Sequence, residues 1–431
     1  MTVRESRPAF MEVDLGSQQG LDLQRSVADR FGADITRAAS LAQRIFMLRS
    51  RWAPGLRFLG AETVPHEIGD GVPPAVYSLS GSGERLEDAF VACVGEGVDR
   101  LAQIACHGDI KCVGAPAEIA FRLTPTISAA VADDMAGQGL PQATCLAWMK
   151  GDLLGPAGER GREILVPADW TVRRAAREPR LRARTELSVG VAAGPTFEWA
   201  ATRAILELIE RDAASLWWTG GRPGQALPLE GAAMREAVRL LGFLRQQSQE
   251  RVSWLLDITS DLGIPVIAAL SCNLQARQLA CGLAARLTLE DAAGAAILEL
   301  CQTELAIQLT EVKRAESGQD SLAPSELAHL ERDAAIEASQ CDLLHPRGVS
   351  TTRDCTQGET PLRVLARVMS ASGFETTLVD MTRPRFGIPV VRAIAPALQP
   401  LPSHIVTERL KRTCNEHGGG DRYTRGAALM G

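Results

Sequence analysis

The sequence predicts a mixed α/β (α+β) chain with more than one sheet. Three observations predict it. Short apolar runs of strand length, such as ILVP, IPVIAALSC and FGIPVVRAI, sit beside Gly and Pro. Long helical patterns, at 198–218 and 289–315, stand between them. The two kinds alternate irregularly, which does not suit a single βαβ sheet. Composition sets the bounds. The 431 residues are 45% hydrophobic and 23% charged, ordinary values for a globular chain with a sizeable core. Net charge is −6, so the basic field of a general nucleic-acid binder is missing. No apolar run approaches the roughly 18 residues of a membrane span. The start, MTVRESRPAFMEVDLG, lacks the apolar stretch of a secretion signal, so a cytoplasmic protein is expected.

Residues 1–50 read as a helical N-terminal region, with apolar residues at spacings of three and four from Leu21 to Met47. Trp52–Pro74 is loop-rich. AVYSLS (75–80) reads as a strand running into Gly81-Ser82-Gly83, and Leu86–Cys106 as an amphipathic helix. GPAGERG (155–161) is a turn and EILVPADWTV (163–172) a strand. The stretch RRAAREPRLRARTE (173–186) reads as a solvated arginine-rich surface in preference to a peptide or phosphate patch. LSVGVAAGPTF (187–197) connects a strand to a helix over Glu198–Trp218. Pro195 and Thr196 suit that helix start, and Glu198 in the first turn suits its dipole.

Trp254–Asp257, IPVIAALSC (264–272) and LACGLAA (279–285) read as buried strands. Leu289–Ala315 is a long helix. SGQDSLAPSE (317–326) breaks it, and an acidic helix follows to Ser339. TTLVDMT and FGIPVVRAIAPAL give two more strands. Residues 413–431 form a C-terminal tail, expected to be flexible at least in part.

The ten cysteines include no CxxC and read as reduced, buried thiols. CHGDIKC holds Cys106, His107 and Cys112, but no second ligand pair follows at a zinc spacing. Lysine occurs only at 111, 150, 313 and 411, and there is no GxxxxGK[ST]. A nucleotide, if bound, is held by another device. No local nucleophile signature is present, and none of the six histidines is assigned as a general base.

Two helices carry a similar acidic signature. CVGEGVDR presents Glu96, Asp99 and Arg100; LELIERD presents Glu207, Glu210 and Arg211. A spacing of three puts both acids of a pair on one helical face. Carboxylate pairs from two facing helices make a hard oxygen site suited to Mg²⁺. An arginine fork can grip a phosphate, and glycines such as Gly81, Gly83 and those of GVAAGP let backbone amides approach one. Taken singly, an ExxER helix is usually a solvated face. Here the acids are set among apolar residues, where an unpaired charge is expensive. A third helix, ILELCQTELA, offers Glu299, Gln302 and Glu304, the first two on one face. Gln302 suits a base or a metal-bound water, and equally a satisfied buried amide.

These segments resemble the YcaO family. The resemblance rests on GSGERLEDAFVACVGEGVDR, ILVPAD, SVGVAAGPTFEWAATRAILELIERDAASLWW, ILELCQTELA and FGIPVVRAIAPAL, in order, over about residues 75–400. AAGPTFE and the WW after ERDA look most like members encoded beside a TfuA partner. The resemblance implies a YcaO-like fold over 51–412, with mixed sheets flanked by helices and an ATP site between acidic helices. It implies ATP- and Mg²⁺-dependent phosphorylation of a backbone amide in a ribosomally synthesised precursor peptide, giving an azoline or a thioamide. It places the metal on Glu96, Asp99, Glu207 and Glu210. ATP contacts fall on Gly81, Ser82, Gly83, Glu198, Arg211 and Gln302. The implied partners are the precursor peptide and a TfuA-like protein, and a homodimer suits the family.

The chain departs from the family pattern in several places. Cys93 replaces the serine of SxxExxER and Asp99 its second glutamate. Ser82 stands for the lysine of GKG. The Sx₆E element reads Ala192 and Trp199, with Glu198 one place off. The proline-rich PxPxP ending of many azoline-forming members is missing, which lowers cyclodehydration and raises thioamidation or another amide modification. The competing reading is a non-catalytic YcaO-like scaffold that binds peptide or partner without ATP turnover.

Overall fold

The computed structural model describes residues 10–63, 77–174, 180–228, 230, 234–355 and 358–429. The chain folds as the expected mixed α/β protein, with three sheets whose strand pairs are all antiparallel. The first sheet has the order β1-β2-β3-β4, from β1 (Phe10–Glu12), β2 (Arg44–Leu48), β3 (Arg57–Thr63) and β4 (Tyr77–Gly83). Helices α1 (Gln18–Phe31) and α2 (Ala33–Ala38) connect β1 to β2, and α3 (Leu86–Ala102) packs across β3 and β4. Gly81 allows that packing: a Cβ there would lie 2.2 Å from the Ala89 carbonyl oxygen and from the Cys93 nitrogen.

The third sheet in space is built around β6 (Leu146–Leu154). It runs β5-β6-β13-β14-β8, with β7 (Arg160–Pro167) also paired to β6. Its other members are β5 (Ile110–Gly114), β8 (Val191–Ala193), β13 (Thr377–Asp380) and β14 (Val390–Ile394), and α4 (Pro125–Gly137) lies between β5 and β6 in the chain. The remaining sheet has the order β12-β11-β10-β9, from β9 (Gln225–Ala226), β10 (Arg251–Asp257), β11 (Val266–Asn273) and β12 (Ala280–Ala285). Strand β11 is buried on both faces, which explains its unbroken apolar run. Val266, Ala268 and Leu270 pack toward α5 (Phe197–Trp218); Ile267 and Ala269 pack toward α6 (Arg235–Arg245) and α7 (Leu289–Ser317). The period of two sends alternate side chains to opposite helices.

Both long helices start where their sequence says. Thr196 accepts the Trp199 amide at 3.1 Å and Thr288 accepts the Asp291 amide at 3.1 Å, each capping a first turn. Gly318, at φ 82°, ends α7. The acidic helix α8 (Pro324–Ala335) follows, then α9 (Pro361–Ala371) against α5, α10 (Glu408–His417) and α11 (Asp421–Thr424).

Several expectations are corrected. Among its described residues the N-terminal region is α-helical only within Gln18–Ala38; Arg44–Leu48 is a strand whose residues Ile45 and Leu48 are buried. Arg57–Thr63 is a strand inside the expected loop, whose residues 64–74 lie outside the described residues, as do 75–76 of AVYSLS. The C-terminal tail, described to 429, is packed: Leu429 is buried, Arg332 donates to the Ala428 and Leu429 carbonyls, and Trp218 Nε1 donates to the Ala427 carbonyl. The arginine-rich stretch, of which 175–179 lie outside the described residues, is partly structural. Arg174 clasps Asp169 through Nε (2.8 Å) and Nη2 (3.0 Å), and Arg184 pairs with Asp134 at 3.0 Å. All ten cysteines are free, but only Cys93, Cys272, Cys301 and Cys341 are buried. CHGDIKC is a turn that runs into β5: Asp109 accepts the Cys106 amide and is held by Arg383, and Ile110–Cys112 already belong to the strand.

Candidate active site

Helices α3 and α5 meet at the short strand β8, and α5 and α7 meet at β12. Strand β4 closes the gap between α3 and α7. The acidic residues of three helices therefore face one region.

On α3, Glu96 accepts the Ser80 amide at 2.6 Å and the Ser80 hydroxyl at 3.2 Å. Arg100, one turn on, grips its other oxygen through Nε (3.1 Å) and Nη2 (2.8 Å). Asp99 faces β8, where the Ala193 amide donates to it. Its Oδ1 is buried with no hydrogen-bond partner. Burial pushes the Asp99 carboxyl well above the usual carboxylate range, and the charges of Glu207 and Glu96 push it further. The Asp99–Glu207 repulsion brings α3 and α5 into one electrostatic unit.

On α5, Glu207 accepts the Gly190 amide at 3.0 Å and lies 3.5 Å from Arg211. Gly190 has φ 77°, and a Cβ there would lie 2.8 Å from Leu208 Cδ2, so only glycine presents its amide in this way. Glu210 is 7% exposed and accepts the Ala285 amide of β12 at 3.1 Å. Burial pushes Glu210 up to about 8, against the pull of Arg211; Glu299 and Glu207 add to the rise. Arg211 lies 3.7 Å from Glu210 and is shared between the two acids of α5.

On α7, Glu299 accepts the Leu283 amide at 3.2 Å, and burial also raises its carboxyl, with Glu207 contributing. Gln302 donates to the Ser80 hydroxyl at 2.9 Å and accepts from Ser82 at 3.1 Å. One polar chain thus links Ser82, Gln302, Ser80 and Glu96 across three elements.

Other expected residues fall elsewhere. Gly81 and Gly83 are strand residues, and their lack of a Cβ is accounted for by the close approach of α3. Glu198 is exposed in the first turn of α5. It precedes Glu207 by nine residues, about half a turn out of phase at 100° per residue. Glu304 belongs to a separate buried cluster with Arg245 and Arg251. Conversely, Arg203, Arg286 and Arg392 border the acidic residues and were not singled out from the sequence. Burial lowers Arg392 to about 10 against the pull of Glu207, and lowers Arg203 to about 10 with Arg286 adding to the effect. Arg203 carried a readable signal: it lies four residues before Glu207 on the same helix.

The donor set suits a hard divalent cation. It offers carboxylates only, several of them buried, crowded and raised, and one buried oxygen of Asp99 without a partner. As the side chains stand, no three His, Cys, Asp or Glu among the described residues lie close enough to share one ion. Glu96 and Glu207 are instead engaged by Ser80 and Arg100 and by Gly190 and Arg211.

A family model described as "YcaO cyclodehydratase, ATP- and Mg²⁺-binding" matches residues 80–399. The chain belongs to the YcaO family. ATP and Mg²⁺ are accordingly its cofactors. Among solved structures, this YcaO chain is similar to a heterocyclase in complex with substrate and cofactor, with TM-score 0.71 and 20% identity over 92% of this chain and 55% of that one. It is similar to YcaO from Methanopyrus kandleri bound with AMPPCP and Mg²⁺, with TM-score 0.57 and 19% identity over 88% and 89% of the two chains. It is also similar to the E. coli microcin synthetase McbBCD complex, with TM-score 0.56 and 14% identity over 81% and 89%. At these identities the likeness is one of fold. The chain spans about half the length of the heterocyclases it matches. No curated protein matches it by sequence. No described helix is long and apolar enough to cross a membrane.

Proposed function

We propose that this YcaO chain activates a backbone amide of a ribosomally made precursor peptide by phosphorylating its oxygen with ATP. A Cys, Ser or Thr side chain attacking the same carbon gives an azoline; a sulfide source gives a thioamide. One observation supports this reading above others: buried carboxylates from α3, α5 and α7 face one another, and burial with mutual repulsion raises Asp99, Glu210 and Glu299. Asp99 stands against Glu207, and Glu210 against Glu299. In the proposal Glu96, Asp99, Glu207 and Glu210 would hold the metal, which supplies neutralising charge at phosphate oxygens.

The other residues position. Arg211, with a planar fork already between two acids, is placed to take a phosphate. Gln302 and Ser82 offer a donor and an acceptor to the nucleotide once their mutual bond opens. Gly81, Gly83 and Glu198 are left out, since packing and position account for them. Positioning and electrostatics would carry the reaction, without a protein nucleophile. The partners proposed are the precursor peptide and a TfuA-like protein, with a homodimer as the assembly.

The test is calorimetry with Mg-ATP on the wild type and on Glu207→Gln/Glu210→Gln, with the intact mass of a co-expressed candidate precursor. Binding lost in the variant, with a precursor about 18 Da lighter (azoline) or about 16 Da heavier (thioamide), supports the reading. A wild type that binds no Mg-ATP makes the chain a peptide- or partner-binding scaffold.

A further inference from the structure

One side of α5 carries an aromatic ring, a guanidinium and carboxylates in succession. Trp199, in the first turn, is 46% exposed. Arg203 follows one turn later, its Cζ 5.5 Å from the centre of the Trp199 ring. Glu207 comes a turn after that, and Glu210 three residues further. Trp199 to Glu207 is eight residues, about 12 Å of helix axis at 1.5 Å per residue. That matches the reach of an extended nucleotide from its base to its terminal phosphates.

The ring is held in place from one side. Gly194 lies flush against it: a Cβ at 194 would fall 2.1 Å from Trp199 Cε3. Any larger residue there would push the indole away. Arg203 stands over the ring and makes no hydrogen bond or ion pair among the described residues. Arg203 also faces Arg286, and among the described residues the Arg286 side chain bonds only the neighbouring Ala285 carbonyl. The nearest acids are engaged, Glu207 by Gly190 and Arg211, and Glu210 by Ala285 and Arg211. Two like charges brought together in a half-buried site are costly, and an entering phosphate relieves them.

We propose that Trp199 is the platform on which the nucleotide base stacks, and that Arg203 leaves the ring for the phosphates when the nucleotide enters. The inference rests on the ATP reading above and adds to it the residue that holds the base. Stacking on an indole uses the face of the base, so the platform accepts any purine. Arg203 supplies the coupling: the same side chain covers the ring when the site is empty and binds anion when it is full.

The experiment is calorimetry on the full chain with Mg²⁺ and three probes: ATP, GTP and inorganic tripolyphosphate. The wild type is expected to bind ATP and GTP within about threefold of each other, and tripolyphosphate at least roughly tenfold more weakly. Trp199→Ala removes that advantage and leaves tripolyphosphate unchanged, while Trp199→Phe keeps most of it. Arg203→Gln weakens all three. The proposal is overturned if Trp199→Ala binds ATP like the wild type, or if it loses tripolyphosphate as much as ATP. A wild type that binds tripolyphosphate and ATP equally well removes the base platform alone. A wild type that binds neither removes the ATP reading, and the platform falls with it.

Discussion

Glu304→Gln is predicted to cost about 3–5 kcal/mol of folding stability, the range for breaking a buried ion pair from one side. The Glu304 carboxylate is fully buried in α7. It accepts Arg245 Nη1 at 2.6 Å, Nη2 at 2.7 Å and the Ser271 hydroxyl at 2.5 Å, and it pairs with Arg251, whose Nε lies 3.0 Å away. Charged hydrogen bonds are worth about 1.5–3 kcal/mol each, so the three together with the second ion pair would exceed the range. The amide keeps one acceptor oxygen, which brings the net cost back into it. What remains is two guanidiniums without a counter-ion. Arg251 is stacked over Trp52 at 4.5 Å, and Arg245 is tied to the Trp52 carbonyl and the Ser253 hydroxyl, so neither can swing into water. Urea unfolding of wild type and variant at equal m-value reads the difference. A loss below about 1 kcal/mol, the worth of a surface pair, would refute the reasoning. It would mean that α7, and with it Glu299 and Gln302, is anchored by something else.

Three further outcomes follow from the same geometry. Asp99→Asn should raise the urea midpoint of the ligand-free protein, because it removes a buried charge repelled by Glu207 and Glu96, while weakening Mg-ATP roughly tenfold or more; a variant less stable than wild type would show that the repulsion is already relieved. Gly282→Ala places a Cβ 2.2 Å from the Leu300 nitrogen and 2.3 Å from the Ala296 carbonyl oxygen, so β12 and α7 must separate at a cost of about 1–3 kcal/mol; Glu299 then loses the Leu283 amide, and unchanged stability with unchanged Mg-ATP binding would contradict this. Burial, then Arg332, lowers His329 from 6.5 to about 4, so between those values the folded state binds fewer protons than the unfolded chain. Its contribution is full above about pH 6.5 and is lost as pH falls toward about 4, by at most about 3 kcal/mol. His329→Gln should flatten that part of the pH–stability curve measured by urea unfolding; an identical slope in the variant would remove the histidine from the account.

The parts of the fold that were legible are those whose local chemistry agrees with their burial. Helix α5 could be read because Pro195, Thr196 and Glu198 mark its start and apolar residues surround its acids. Strand β11 could be read because both its faces are covered and its apolar run is unbroken. Strands β1 and β2 were read as helix, since short amphipathic strands near a true helix leave no distinct period. Pairing with β3 decides them, and that is a tertiary fact. As a chain terminus the tail is expected to be flexible at least in part. Its order comes from Arg332 and Trp218, distant residues that hold carbonyls no sequence pattern announces.

The same division holds at the site. Spacing put each acid pair on one face of its helix, and the apolar residues around the pairs argued against a solvated face. Glu304 was drawn in because it shares a helix with Glu299, yet five residues turn it about 140° away, toward Arg245 and Arg251. Arg392 was out of reach, since it matters only through Glu207, far away in the chain. Asp99 against Glu207, more than a hundred residues apart in numbering, is the contact that spacing could suggest and only the fold could supply.

The central claim is that carboxylates from separate helices serve one nucleotide-bound divalent ion. Its most direct measurement is titration of Mg-ATP into single variants drawn from two helices, Asp99→Asn on α3 and Glu210→Gln on α5. The account predicts that affinity falls by roughly tenfold or more in both. Retention of wild-type affinity in either variant would contradict it.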